Sequence, residues 1–286
     1  MDIGALQIIV FIATFLLMLA VGITSSYEDL KNNIFIIDRT LVLSIIMQLL
    51  IVPIIFFIFV DYIFDLETRV KIFFMILALS PGAVVSTAFV SLCKGNVFLS
   101  VKISAIMTLI SIFSLPLILS VYVSKLALDN SDVSVNINLI TAQIFVLVVL
   151  PFFLGSFLNR NNFIQNNFLG SMKLFIKGCL LFVVILGLNY FTFKNLAIYL
   201  SIIPYMLLLI SLLVVSSYVI CKLSSIESKD QITIVLETFM QNLAVVFIVI
   251  IAVFSQVEEF LPYIVIWLFL QNLVGYIVYF MRKQFS

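Results

Sequence analysis

Histidine is absent from the 286-residue chain, and charged side chains make up only 10% of it, against roughly 25% in an average soluble domain. Without histidine the chain lacks the commonest general base and the commonest zinc ligand. The three cysteines, Cys93, Cys179 and Cys221, have no paired or metal-binding spacing. The formal net charge is +1, so the composition indicates no nucleic acid partner.

Apolar side chains are correspondingly abundant. They make up 64% of the chain and include 29 phenylalanines, whereas a water-soluble surface of this size requires far more polar side chain. The composition therefore predicts an all-α membrane protein. Its first apolar run is of spanning length and has no Lys or Arg before Lys31, so we expect a retained helix rather than a cleaved signal peptide.

Nine apolar segments are long enough to span a membrane, since a spanning helix needs about 20 mostly apolar residues. They predict one transmembrane domain over residues 1–286, with short connections and no soluble domain. Loop lysines and arginines collect on one side if the N-terminus is outside, which predicts a cytoplasmic C-terminus in a cell membrane. The predicted spans are 4–24, 40–60, 71–92, 97–124, 137–158, 172–192, 196–222, 230–255 and 259–281.

Glu237 is the one acidic residue placed deep within a predicted span, the eighth. A lone carboxylate in hydrocarbon costs at least ~2.5 kcal/mol, so it needs a cation, a proton or a polar cavity. Gln241 lies four residues further on, where a continuous helix would point both side chains the same way. Carboxylate and amide oxygens together suit a hard cation. The alternative is a protonated Glu237 hydrogen-bonded to a neighbouring helix.

Further polar signals lie in the second, third and fourth spans. Pro81 and Gly82 interrupt the third span, and broken membrane helices often line ion or substrate sites; a simple proline kink is the alternative. Ser100 and Ser104 share one face of the fourth span, although membrane serines often bond only their own helix. Gln48 lies midway through the second span, where a bond between helices is the alternative.

The spacing of these breaks predicts two inverted halves. Spans three and eight lie five helices apart, as do spans two and seven, which carry Pro53 and Pro204. An odd offset gives corresponding helices opposite orientations, and interrupted segments at matching places indicate a transporter binding site. The first half has four helices where this scheme requires five.

The same residues resemble the bile acid:sodium symporters, over nearly the whole chain and in the same order. The chain is similar to the nine-helix form of that family, which explains the missing helix of the first half. The resemblance implies a panel domain and a core domain in which two interrupted helices cross. It is carried by Leu19-Ala20-Val21-Gly22-Ile23-Thr24 with Glu28-Asp29-Leu30, by Gln48 with Pro53, by Ser80-Pro81-Gly82 through Lys94-Gly95-Asn96 into Leu99-Ser100-Val101, and by Glu237 through Asn242.

The resemblance also implies the ligands of two coupling ions, Na+, near the crossing. The first sodium would be held by Ser86, Thr87, Ser100, Ser104 and Glu237. The second would be held by Gln48, Glu237, the backbone of Thr238 and Met240, and the side chain of Gln241. The substrate would be a small, bile-acid-like organic anion, a carboxylate or sulfonate, bound by Gly82, Ala83, Val84 and Asn242.

Three residues depart from the family pattern. Thr87 stands where the family usually has Asn, and Val84 where it usually has Thr. Lys102 lies between the two serines of the fourth span, and an ammonium that reached the first site would compete with sodium. The sodium stoichiometry therefore stays open at two, one or none.

Sodium-coupled symport by alternating access, in a monomer or weak dimer, is the function that the sequence predicts. A proton-coupled or uncoupled carrier of the same fold, including an efflux carrier, is the nearest alternative. An intramembrane enzyme or a scaffold subunit is the alternative from another functional class. The enzyme is disfavoured because the chain has no histidine and only one deep acid.

Overall fold

The computed structural model describes residues 37–126, 136–160, 196–254 and 257–285, together with scattered residues between 8 and 23. Within this part of the chain the secondary structure is helical, without strands. The helices, in chain order, are α1 (Arg39–Ile63), α2 (Thr68–Leu79), α3 (Val84–Leu92), α4 (Val97–Leu126), α5 (Ile137–Leu158), α6 (Leu196–Ser201), α7 (Ile203–Leu223), α8 (Ser228–Phe239), α9 (Leu243–Val253) and α10 (Leu261–Phe285).

Five stretches of the described residues are long and apolar enough to cross a membrane: α1, α4, α5, α10 and Tyr199–Leu223, which contains α7. They match the predicted spans at 40–60, 97–124, 137–158, 196–222 and 259–281, so the prediction of a helical membrane protein is confirmed. The predicted sixth span, 172–192, and most of the first, 4–24, lie outside the described residues. The count of nine therefore stays a prediction.

The predicted third span consists of two helices, α2 and α3, because Pro81 ends the first of them. A proline disfavours helical geometry in the residue before it, and Ser80 has extended dihedral angles of φ −72° and ψ 146°. Ala83 is also extended, at φ −80° and ψ 151°, and α3 begins directly after it. Four residues of non-helical backbone thus lie within the predicted membrane depth.

The predicted eighth span is likewise two helices, α8 and α9, although neither proline nor glycine lies at this break. Met240 leaves the helix at φ −86° and ψ 96°. Asn242 then begins α9 as its N-cap, and its side-chain oxygen accepts hydrogen bonds from the backbone N–H groups of Ala244 and Val245. The interruption of the span 230–255 is thus made by a capping asparagine rather than by a helix breaker.

The two breaks lie side by side. The backbone N–H of Ala83 donates to the Met240 carbonyl oxygen at 2.8 Å, and that of Asn242 donates to the Pro81 carbonyl oxygen at 2.9 Å. Gly82 and Gln241 form an isolated antiparallel bridge between them. Non-helical backbone inside a membrane must find its hydrogen bonds within the protein, and here each break supplies them to the other.

Apolar packing around the breaks comes mainly from α2 and α9. Every residue of α2 from Ile72 to Leu79 is buried, as is every residue of α9 from Val245 to Ile250. Trp267 of α10 is fully buried and contacts Phe56 of α1, with their ring centroids 6.0 Å apart. The breaks are therefore held in a tightly packed part of the molecule.

Candidate functional site

Glu237 lies near the end of α8 and is completely buried. Its Oε1 atom accepts hydrogen bonds from the hydroxyls of Ser86 and Ser100, each at 2.5 Å. Its Oε2 atom accepts a third from Ser104 at 2.9 Å. Three helices, α3, α4 and α8, thus meet at one carboxylate, and its hydrogen-bond donors within the described part of the chain are serine hydroxyls.

Gly82 allows the first break to approach this carboxylate. A Cβ atom at position 82 would lie 2.5 Å from Glu237 Oε2 and 3.2 Å from the Glu237 backbone oxygen. The φ angle of Gly82 is not positive, so backbone freedom does not explain the glycine. Glycine is needed here because any side chain would occupy the space of the carboxylate.

The residues expected at the first sodium site are all brought together. Ser86 and Thr87 lie in the first turns of α3, while Ser100 and Ser104 lie one turn apart on α4. Thr87 joins the group through a hydrogen bond of 2.8 Å between its Oγ1 atom and the Ser100 hydroxyl. The result is a cluster of carboxylate and hydroxyl oxygens, buried at Ser86, Ser100 and Glu237 and half-buried at Thr87 and Ser104. Such oxygens are the donor type that a hard cation prefers.

Gln48 reaches Glu237 from the other side. It lies in a π-helical turn of α1, Met47–Ile51, next to Pro53, which has no backbone N–H to donate. Its Nε2 atom donates to the Glu237 backbone oxygen at 3.3 Å. Its Oε1 atom is buried and has no hydrogen-bond partner among the residues that the structure describes. An amide oxygen without a protein partner is unusual in a protein interior.

Gln241 lies close to Glu237 for a different reason from the one predicted. It is beyond the end of α8, in the extended break, so helical spacing does not place it. Its Oε1 atom accepts from the Ser80 hydroxyl at 3.2 Å, and its Nε2 atom donates to the Thr238 backbone oxygen at 3.1 Å. The expectation of a shared helix face was wrong, although both side chains belong to the same buried region.

Thr238 and Met240 supply backbone carbonyls where α8 ends. The Met240 carbonyl accepts from the N–H of Ala83 at 2.8 Å. The Thr238 hydroxyl donates to the Ile234 carbonyl oxygen at 2.7 Å, within its own helix. The oxygen that Thr238 contributes at the break is therefore its backbone oxygen. Main-chain oxygens of three residues between Glu237 and Met240 therefore take part in hydrogen bonds at the break.

The residues expected to bind substrate lie at the starts of α3 and α9, the helices that follow the two breaks. Gly82, Ala83 and Val84 form the entry to α3, whose N-terminus has no side-chain cap. Asn242 instead uses its side-chain oxygen to cap α9, at 3.2 Å from the N–H of Ala244. The first backbone N–H groups of α3 therefore receive no hydrogen bond from a capping side chain, whereas two of those of α9 do.

Lys102 is directed at Asp38 in the structure. Its ammonium lies 3.6 Å from an Asp38 side-chain oxygen, and the lysine side chain is only 3% exposed. The other carboxylate oxygen of Asp38 caps α1 by accepting from the Leu41 N–H at 2.7 Å. This pair joins the start of α1 to α4.

Gln271 of α10 was missed by the sequence reasoning. Its Oε1 atom accepts from the backbone N–H of Gln241 and from the Trp267 indole N–H, both at 3.1 Å. It thereby anchors the second break to α10. The signal was available, because Gln271 is an amide well inside the predicted ninth span, as Gln48 is in the second.

A helical membrane protein with hard oxygen donors around two adjoining helix breaks has the features of a secondary transporter. The family model for the sodium bile acid symporter family matches residues 11–228, and the chain belongs to this family. Membership confirms the prediction of a transporter rather than an enzyme. No curated protein matches the chain. The matched region ends before Glu237, so the role of that residue depends on the geometry described above.

Proposed function

We propose that the protein is a sodium-coupled symporter of a small organic anion, with Glu237 as the central sodium ligand. The observation that carries this proposal is the full burial of Glu237 among three serine hydroxyls. A buried carboxylate is costly unless a counter-charge or proton accompanies it. Sodium supplies that charge, and hydroxyl, carboxylate and amide oxygens are suitable donors for it.

Two sodium positions fit the arrangement. The first lies among the hydroxyls of Ser86, Thr87, Ser100 and Ser104 on one side of the Glu237 carboxylate. The second lies among Gln48, the backbone of Thr238 and Met240, and Gln241. The Oε1 atom of Gln48, which has no partner among the described residues, supports this second position, because an amide oxygen there could coordinate a cation.

The anion would bind at the entry to α3, around Gly82, Ala83 and Val84. The first N–H groups of a helix have no partner within it and carry partial positive charge, which favours an anionic group. The N-terminus of α3 has no side-chain cap, whereas Asn242 caps that of α9. A carboxylate or sulfonate with an apolar portion suits this site, and Asn242 is its proposed second contact.

The transport cycle follows from the same arrangement. We place the two breaks at a crossing of interrupted helices in a core domain, within two inverted halves of a nine-helix protein. Sodium binding neutralises Glu237 and fixes the breaks against each other, which prepares the α3 entry for the anion. The core then moves against a panel domain and opens the site to the cytoplasm. The bridge between Gly82 and Gln241 supports coupled movement of the two breaks.

Uptake by reconstituted protein tests this function. Labelled taurocholate, a bile acid sulfonate, would be offered to proteoliposomes under an inward sodium gradient, a potassium gradient or a pH gradient. We expect uptake only with sodium, and a large loss in Ser104→Ala, which removes one donor to Glu237. Thr108→Ala is the matched control, because the Thr108 hydroxyl donates within its own helix, to the Ser104 carbonyl. Uptake driven equally by a pH gradient in potassium would favour the proton-coupled alternative.

A further inference from the structure

A groove of about 440 Å³ lies between α7, α8 and α10, away from Glu237 and its serines. Its walls are apolar side chains that recur at helical spacing. Val214 and Val215 come from α7, Ile232 and Val235 from α8, and Val278 from α10. Val215 is 58% exposed, so the groove opens towards the surroundings of the protein rather than into its centre.

The polar groups that line this groove lie towards one end of it, where Gln231 Nε2 donates to the backbone oxygen of Tyr218 of α7 at 3.4 Å. Ser228 and Gln231 lie in the first turn of α8, and Arg282 lies in the last turn of α10. The Arg282 Nη1 atom donates to the Ser228 hydroxyl at 2.7 Å, which joins the two helix ends. The valines at positions 214, 215, 235 and 278 lie further along the helices. From Ser228 to Val235 the rise is about 10 Å at 1.5 Å per residue.

The Arg282 guanidinium has no carboxylate partner among the described residues. The ion pairs found there are Arg69–Glu259, Lys102–Asp38 and Lys125–Asp61. A guanidinium presents several N–H donors in a planar fork, and a serine hydroxyl satisfies only one of them. Phosphate oxygens match this fork and would also balance its charge.

We propose that the groove binds an anionic phospholipid, with its phosphate at Arg282 and Ser228 and an acyl chain along the valines. A charged end followed by an open apolar channel reproduces the polarity of a lipid from headgroup to chain. Basic pockets between membrane helices on the cytoplasmic side are known to bind such headgroups. The loop charges predict that this end of the protein is cytoplasmic. The proposal is independent of sodium coupling.

Thermal unfolding of the full-length protein in detergent, with added lipid, tests the proposal. A ligand that binds only the folded state raises the unfolding temperature. We expect phosphatidylglycerol to raise it more than an equal concentration of phosphatidylcholine does. Arg282→Gln should abolish this difference. Lys283→Gln should keep it, because Lys283 is exposed and next in sequence but does not line the groove.

A second pair of variants tests the acyl-chain part and remains informative if Arg282→Gln does not fold. Val215→Trp would fill the groove from its exposed edge and should abolish the phosphatidylglycerol effect. Val219→Trp changes another exposed residue of α7, outside the groove, and should keep it. Equal effects of the two lipids on the wild type would overturn the proposal. So would an equal loss in Arg282→Gln and Lys283→Gln, or the same stabilisation by inorganic phosphate alone.

Discussion

A Gly82→Ala substitution would place a methyl carbon 2.5 Å from Glu237 Oε2. To reach ordinary contact at 3.4 Å the carboxylate must retreat by about 0.9 Å. That movement breaks or stretches the hydrogen bonds from the serines, which are 2.5 to 2.9 Å long. Overpacking of this kind typically costs about 1–3 kcal/mol. If the cost falls on the sodium-bound state, sodium affinity should drop roughly 5- to 150-fold, at tenfold per 1.4 kcal/mol.

A sodium titration of the unfolding temperature measures this change, with potassium keeping the ionic strength constant. Gly275→Ala is the control, because its Cβ would first meet the flexible side-chain end of Met240, at 2.6 Å, whereas the sodium contact proposed for Met240 is its backbone. We expect the control to keep its sodium affinity within a few-fold. An unchanged sodium affinity in Gly82→Ala would refute the close approach of Gly82 to a sodium ligand.

Two further predictions concern stability. Gln271→Leu leaves two buried N–H donors without an acceptor, and we expect a loss of about 1–3 kcal/mol for each, seen as a lower unfolding temperature; an unchanged temperature would contradict the role of Gln271. Asp61→Asn keeps an acceptor for the Tyr122 hydroxyl but removes the charge facing Lys125, which is 51% exposed. We expect less than about 1 kcal/mol, reduced further by salt. The exposed residue Asp65 provides the control substitution, Asp65→Asn, and an equal loss there would refute this pairing.

The sequence was most informative where burial of polar groups is expensive. Glu237 and Gln48 were found because a polar side chain in a membrane span is costly unless it has a polar partner. In the structure the Gln48 side chain donates a hydrogen bond to the backbone oxygen of Glu237. The break at Pro81 was found because proline constrains its neighbour. These inferences needed only local chemistry and the approximate depth of each residue in the bilayer.

The sequence was less informative where tertiary contacts decide the structure. No rule of helix period predicts that α8 ends at Phe239, because the break depends on capping by Asn242 and on hydrogen bonds to the first break. The direction of Lys102 was open for a similar reason, since its partner Asp38 is 64 residues away. Gln271 could have been found by the criterion that found Gln48.

Sodium-specific stabilisation of the protein, and its dependence on Glu237, tests the central claim most directly. The purified wild type and Glu237→Gln would be unfolded thermally in sodium and in potassium. Glu227→Gln is the matched control, since it makes the same chemical change at an exposed residue, the N-cap of α8. We predict that sodium raises the unfolding temperature of the wild type and of Glu227→Gln but not of Glu237→Gln. Equal unfolding temperatures of the wild type in the two salts would contradict a sodium site at Glu237.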